Sequence, residues 1–247
     1  MTPKVTLISY TQDADAILIF TKSTRLNMTP GLLDDIKSWP AERKREELEY
    51  MARTVPSSWE MCDYIFAIEN VTRAFTHQLV RTRTGSYAQQ AMRITQMGDE
   101  NKPFAYSTGA TVAADPLRQA TYESIMRVLN HAYSNLIEKG ASVEDARGVL
   151  PTNICTNIVA KFNLRTLSDL AVKRGTGRTQ DEYRTVLNQM LEAVEAVHPW
   201  AGLFLRPKRH DTAKRVLALA DRLRAEGHID AANALTKEGE ILSRELK

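Results

Sequence analysis

An α+β fold is predicted by three observations. Lys4-Val-Thr-Leu-Ile-Ser-Tyr10 alternates and is rich in β-formers, so it reads as a strand. Met61 to Ile68 is a second short apolar run of strand length. From Pro116 onward, apolar residues recur at helical spacing. The 247 residues suit one large domain or two small ones. With 43% hydrophobic and 26% charged residues, the chain can bury a core, which a disordered chain could not.

The elements follow in order. A helix is expected from Asp13, with Ala16, Ile17 and Phe20 on one side. Met28 to Arg53 is polar and charged, is broken by Pro30 and Pro40, and reads as one or two exposed helices. After the Met61 to Ile68 strand comes a helix over Phe75 to Val80. Thr82 to Ala88 contains Gly85 and Ser86 and reads as a turn or loop, as does Gly98 to Gly109. Pro116 opens a long helix carrying Leu117, Ala120, Ile125, Leu129, Tyr133, Leu136 and Ile137, and Gly140 closes it. Ser142 and Asp145 resemble a capping box before a short helix ended by Pro151. Thr166 to Val172 and Glu182 to Val197 are further amphipathic helices. Composition shifts after Pro199-Trp200. Asp211 to Lys247 reads as two charged helices around Gly227-His228-Ile229, with Val216, Leu219 and Leu223 expected against a partner surface.

Bulk chemistry narrows the function classes. A net charge of +3 gives no strong field for a polyanion, and no aromatic stacking pattern accompanies the arginines, so a nucleic-acid partner is not expected. Cys62 and Cys155 show neither CxxC nor metal-ligand spacing, which points to a reduced compartment. Met1 to Tyr10 has no signal-peptide pattern, and the apolar run Ala16 to Phe20 is far too short for a bilayer. A cytoplasmic, unanchored protein is expected. His77, His131, His198, His210 and His228 are scattered without ligand spacing, so no metal site is expected.

The basic residues are locally clustered. Arg73, Arg81, Arg83 and Arg93 form one group; Arg165, Lys173, Arg174 and Arg178 form another. Arginine's planar fork matches phosphate oxygens, although a solvated face with surface ion pairs is the competing reading. In His77 to Arg93, backbone N–H groups near Gly85 and Ser86 could face an anion. Arg81 and Arg83, alternating on an extended segment, would point along one face. Arg147 ends a short helix just before Pro151, a position that also suits a helix-dipole partner. Asp169 lies one turn beyond Arg165, and Arg174 is expected just past the end of that helix.

Taken together and in this order, these stretches resemble the flavin-dependent thymidylate synthases. That family's signature is Arg-His-Arg, two residues, Ser, four residues, Ser, one residue, Arg. Here it reads Arg81-Thr82-Arg83, Thr-Gly, Ser86, four residues, Ala91, Met92, Arg93. His77-Gln78-Leu79-Val80 matches the lead-in, and Pro56-Ser-Ser-Trp-Glu60-Met61, Phe66-Ala-Ile68 and Arg73 continue it upstream. Downstream, Ala146-Arg147-Gly-Val-Leu-Pro151, Asn163-x-Arg165, Arg174 and Gln180-x-Glu182-x-Arg184 match. The likeness covers most of Lys4 to Trp200 and leaves Asp211 to Lys247 outside. It implies a domain over residues 1–204, with helices on a mainly antiparallel sheet, and a helical C-terminal extension over 205–247.

The resemblance also implies an activity. FAD would be held by Arg81, Thr82, Arg83, Asn163, Arg165 and Asp169. A pyrimidine deoxynucleotide, dUMP or dCMP, would lie against Gln78, Gln89, Ala91, Arg93, Arg147 and Arg174, with Arg174 in the catalytic role. NADPH would reduce the flavin, methylenetetrahydrofolate would donate the carbon, and the enzyme would be a homotetramer methylating dUMP to dTMP. The chain departs from the family within this site. Thr82 replaces a histidine, Ala91 a serine, Gln89 a glutamate, Ile94 a tyrosine and Met61 a histidine. Asp169 and Arg178 stand where asparagine and histidine are more usual. Two alternatives follow: a diverged enzyme that uses dCMP or stops at a hydroxymethyl product, and a non-catalytic flavin- or nucleotide-binding homologue.

Overall fold

The structure is a computed structural model and describes residues 2–23, 28–54, 56–175, 179–206 and 209–245. Four strands, β1 (Lys4–Tyr10), β2 (Asp63–Thr72), β3 (Ser86–Gln89) and β4 (Cys155–Asn163), form one sheet in the order β1-β2-β4-β3. Every neighbouring pair is antiparallel. The central pair explains itself by alternation. Tyr64, Phe66 and Ile68 of β2 sit opposite Phe162, Ala160 and Ile158 of β4, and all six are buried on one face. A bulge after Ile68 shifts the register, and Asn70 adopts φ 56°, a left-handed conformation that asparagine tolerates.

Helices cover that apolar face. α1 (Ala14–Lys22), α2 (Leu32–Lys37) and α3 (Ala41–Met51) pack at one end. α1 buries Ala14, Ala16, Leu18 and Ile19, so the inward face is rotated from the expected one, and Ile17 and Phe20 lie half-buried. α2 and α3 are not wholly exposed, since Ile36, Leu48 and Met51 enter the core. α4 (Arg73–Leu79) leaves directly from β2. α5 (Ala110–Ala113) precedes the long α6 (Pro116–Glu138) and the short α7 (Val143–Ala146). α8 (Leu164–Arg174) leaves directly from β4, and α9 (Asp181–Val197) buries Tyr183, Val186, Leu187, Met190, Leu191 and Val194. Gln189 of α9 ties down β1, accepting from the Val5 amide at 3.0 Å.

Several expectations need correcting. Thr82 to Ala88 is not all loop, because Ser86 to Gln89 pairs with β4 as an edge strand. Leu117, Ile125 and Leu136 are exposed; α6 instead buries Met126, Asn130, Tyr133 and Ser134, because only that side meets the loop around Met92 and Phe104. Arg174 is the last residue of α8 rather than beyond it. Other expectations hold. Gly140 takes φ 90° after α6, and the Ser142 hydroxyl accepts from the Asp145 amide at 3.1 Å. The short α10 (Gly202–Leu205) closes the core, and α11 (Arg209–Ala225) and α12 (Ile229–Glu245) pack on each other, with Ala220 and Ala232 fully buried. Val216 meets this sister helix, where a Cβ on Gly239 would lie 3.4 Å from it. No helix among the described residues is long and apolar enough to cross a membrane.

Phe162 is fully buried at the centre of the sheet. Phe162→Ala is expected to cost about 3–5 kcal/mol in urea unfolding, whereas Leu117→Ala, 77% exposed, changes stability by less than about 0.5 kcal/mol. Burial pushes the Cys62 thiol from 9.0 up to about 12, with the nearby Asp63 and Asp15 acting in the same sense. The unfolded thiol ionises first, so stability falls as pH rises from about 9 towards 12. Thermal midpoints across that range should decline less steeply in Cys62→Ala than in the native chain.

Candidate functional site

The junction between α4 and β3 is braced from several sides. Thr72 caps α4, its hydroxyl accepting from the Phe75 amide at 3.0 Å. The chain leaves α4 through two turns, with Thr82 N–H donating to the Leu79 carbonyl at 3.0 Å and Gly85 N–H to the Thr82 carbonyl at 3.1 Å. The Tyr87 hydroxyl lies 3.0 Å from the Leu79 carbonyl and 2.7 Å from the Thr82 carbonyl, pinning the turn from β3. A Cβ on Gly85 would fall 2.5 Å from both the Phe162 ring and the Tyr87 hydroxyl, so only glycine fits. The Thr84 and Thr166 hydroxyls meet at 3.0 Å and tie the turn to α8.

Arg81 and Arg83 ride on this braced turn. Both are exposed, and neither has an acidic partner among the described residues. They do not lie on an extended segment, because the turn hydrogen bonds coil it. The Gly85 N–H is also not free to face an anion, since the Thr82 carbonyl takes it. Asn163 caps α8, its side-chain oxygen accepting from the Thr166 amide at 2.8 Å, which leaves the amide NH2 available. Arg165 Nη1 lies 2.5 Å from Glu60 Oε1, and Asp169 pairs with Lys173 at 3.6 Å. Arg81, Thr82, Arg83, Asn163 and Arg165 thus gather at one end of β4. Arg178 lies outside the described residues.

Two more predicted residues converge on the first turn of α9. The Gln78 side-chain amide donates to Gln180 Oε1 at 2.6 Å. The Arg174 guanidinium lies 5.4 Å from the centre of the Tyr183 ring and has no acidic partner among the described residues. Tyr183 is buried, and its hydroxyl has no hydrogen-bond partner among the described residues. Burial holds that phenol above its ordinary value, against opposing contributions from Thr82 and Arg174. Gln89 is turned towards α4, donating to the Thr76 hydroxyl at 2.9 Å, while Ala91 is exposed.

A third group forms beyond the far end of β3. Arg93 and Arg147 share Glu144 at 3.8 and 4.0 Å, and Arg147 Nε donates to the Glu144 carbonyl at 3.1 Å. Burial and then the neighbouring Arg147 charge hold the Arg73 guanidinium below its ordinary value. Two guanidiniums thus share one carboxylate, with Arg73 close enough to feel the Arg147 charge. Beside Arg73, Thr72, Ser107, Asn153, Gln180 and Glu182 line a polar cleft of about 510 Å³. A larger cavity of about 620 Å³, walled by Trp39, Lys44, Trp200 and Leu203, holds none of the predicted residues.

Residues 6–200 match the family described as thymidylate synthase complementing protein. The chain is 33% identical over 216 residues to a flavin-dependent thymidylate synthase of Sulfurisphaera tokodaii, covering 82% of this chain and 77% of that protein. The chain belongs to the flavin-dependent thymidylate synthase family. A second relative of the same name, from Saccharolobus solfataricus, is 33% identical over 208 residues, covering 79% of this chain and 74% of its own length. A UMP/dUMP methylase, PolB from Streptomyces cacaoi, shares the fold with a TM-score of 0.64 at 19% identity, over 82% of this chain and 94% of that one.

A flavin dinucleotide brings a diphosphate, and the donor set at the end of β4 fits one. Among the described residues, two exposed arginines without acidic partners stand on a rigid turn beside the Asn163 side-chain NH2. Sequence reasoning gave no site role to Arg73, Thr72, Tyr87 or Tyr183, which the structure sets beside the predicted residues. Arg73 was visible in the first basic group; Tyr87 was hidden by the loop reading, because an edge strand of four residues has too little alternation to register. Tyr87→Phe keeps the ring and removes the pin. It should cost about 0.5–1.5 kcal/mol and speed amide exchange across Leu79 to Gly85, as read by hydrogen-exchange mass spectrometry.

Proposed function

We propose that this enzyme methylates dUMP at C5 to give dTMP, with FAD as its flavin, methylenetetrahydrofolate as carbon donor and NADPH as reductant. One observation carries the reading: in a member of this family, the arginines expected to hold phosphates stand in two groups that local carboxylates neutralise only in part, since Arg81 and Arg83 have no acidic partner among the described residues and Arg93 and Arg147 share one glutamate. FAD and a nucleotide monophosphate each bring about two negative charges, which such groups match. Arg81, Thr82, Arg83, Asn163, Arg165 and Asp169 hold the FAD, which when bound supplies the hydride that completes the methyl group. Arg93 and Arg147 take the nucleotide phosphate, with Gln78, Gln89 and Ala91 bordering the nucleotide. Arg174, held on the face of Tyr183, meets a pyrimidine carbonyl and stabilises negative charge developing on the ring.

A homotetramer is the assembly that the family resemblance implies. The flavin group and the phosphate group lie at opposite ends of the nine-residue β4, roughly 25 Å apart along an extended strand. That separation supports a site shared between copies of the chain.

Gln89 and Ala91 favour a second reading, in which the scaffold takes dCMP or releases a hydroxymethyl product. Neither residue supplies the charge or hydroxyl that the family usually places there. The test is direct. The purified protein is expected to show a flavin absorption spectrum and, with NADPH, methylenetetrahydrofolate and dUMP, to yield dTMP by mass spectrometry. A product from dCMP, or a hydroxymethylated base, would replace the leading reading with the second; no bound flavin and no product after FAD addition would overturn both. Arg147→Ala should weaken dUMP binding about tenfold to a hundredfold in calorimetry, the effect of losing a charge-assisted contact of about 1.5–3 kcal/mol.

A further inference from the structure

The geometry points to Glu182 as a positioning residue that fixes α4, and through it Gln78, for the nucleotide; this inference rests on the nucleotide reading above. Glu182 stands in the first turn of α9 and uses both carboxylate oxygens on a single residue. Oε1 accepts from the Thr72 amide at 2.7 Å, and Oε2 accepts from the Thr72 hydroxyl at 2.6 Å. That hydroxyl accepts in turn from the Phe75 amide and caps α4. A second tether joins the same two helices, from Gln78 to Gln180 at 2.6 Å.

α4 is therefore held at both ends by one turn of α9. Its seven residues are too few to hold a helix by themselves, so its position depends on these contacts. Arg73 opens the helix and faces Arg147; Gln78 lies near its end. The same turn of α9 carries Tyr183, on which Arg174 rests. One carboxylate thus joins the start of the helix that carries Gln78 to the turn of α9 that carries Tyr183. Glutamine at 182 would present an NH2 group to one of two donors, so one of the two bonds is lost.

The test compares E182Q, T72V, T72S and the double variant E182Q/T72V in the full chain. In E182Q without ligand, amides of Arg73 to Leu79 are expected to exchange at least about fivefold faster. Its dUMP dissociation constant and KM should rise about tenfold while kcat and the FAD dissociation constant stay within about twofold. T72V should reproduce this, T72S should retain the affinity that T72V loses, and the double variant should be no worse than E182Q alone. Unchanged α4 exchange, equal loss of FAD and dUMP affinity, or additive losses in the double variant would overturn the inference. If the native chain binds no dUMP, the nucleotide reading fails alone, and the exchange measurement still decides whether Glu182 holds α4.

Discussion

The antiparallel pairing of β2 with β4 is the constraint on which the rest depends. Pairing sets Thr72 beside Cys155 at one end and Asp63 beside Asn163 at the other. Both strands run straight into helices, capped by the Thr72 hydroxyl and the Asn163 amide oxygen. The two helices therefore start at opposite ends of one sheet and carry their arginines with them. β3 then runs along the edge of β4, from the turn that holds Arg81 and Arg83 towards Arg93. A buried apolar face fixes this register, because a slip of one residue would turn Phe66 and Phe162 into solvent.

On this frame, the protein holds like charges close together and neutralises them only in part. Arg73 feels Arg147, and Arg93 and Arg147 share Glu144. Such an arrangement works against folding and persists because rigid elements over-determine it. The turn under Arg81 and Arg83 shows how. Gly85 allows two aromatic rings to close beneath it, the Tyr87 hydroxyl holds two carbonyls, and Thr166 ties the turn sideways. Preorganised cations lose little freedom when an anion arrives, so more of the attraction remains for binding.

Legibility in the sequence followed contact range. β1, α4, the α6–α7 junction and α9 were readable because strand alternation, helical spacing and capping residues are local signals. β4 drew no assignment, although Thr156, Ile158, Ala160 and Phe162 alternate inward. A strand buried between two others is recognised by its partners more than by its own composition. Leu117, Ile125 and Leu136 share helical spacing with Tyr133 and yet stand in solvent, since periodicity marks a face without saying what covers it. The candidate site was read from the family resemblance, which gave the residue types and their order but not the paths between them.

By itself, the sequence determined the α+β class, the arginine-rich motifs and their order, and through them the family. These depend on residue identity and short-range spacing. Only the tertiary structure decided that the arginines divide between two ends of one strand, that Arg174 closes α8 on the face of Tyr183, and that Glu182 reaches back to Thr72. Those relations join residues far apart in the chain, such as Thr72 and Glu182 at 110 positions of separation. Nothing local encodes them; they follow from strand pairing and from the burial that makes the pairing worth its entropy.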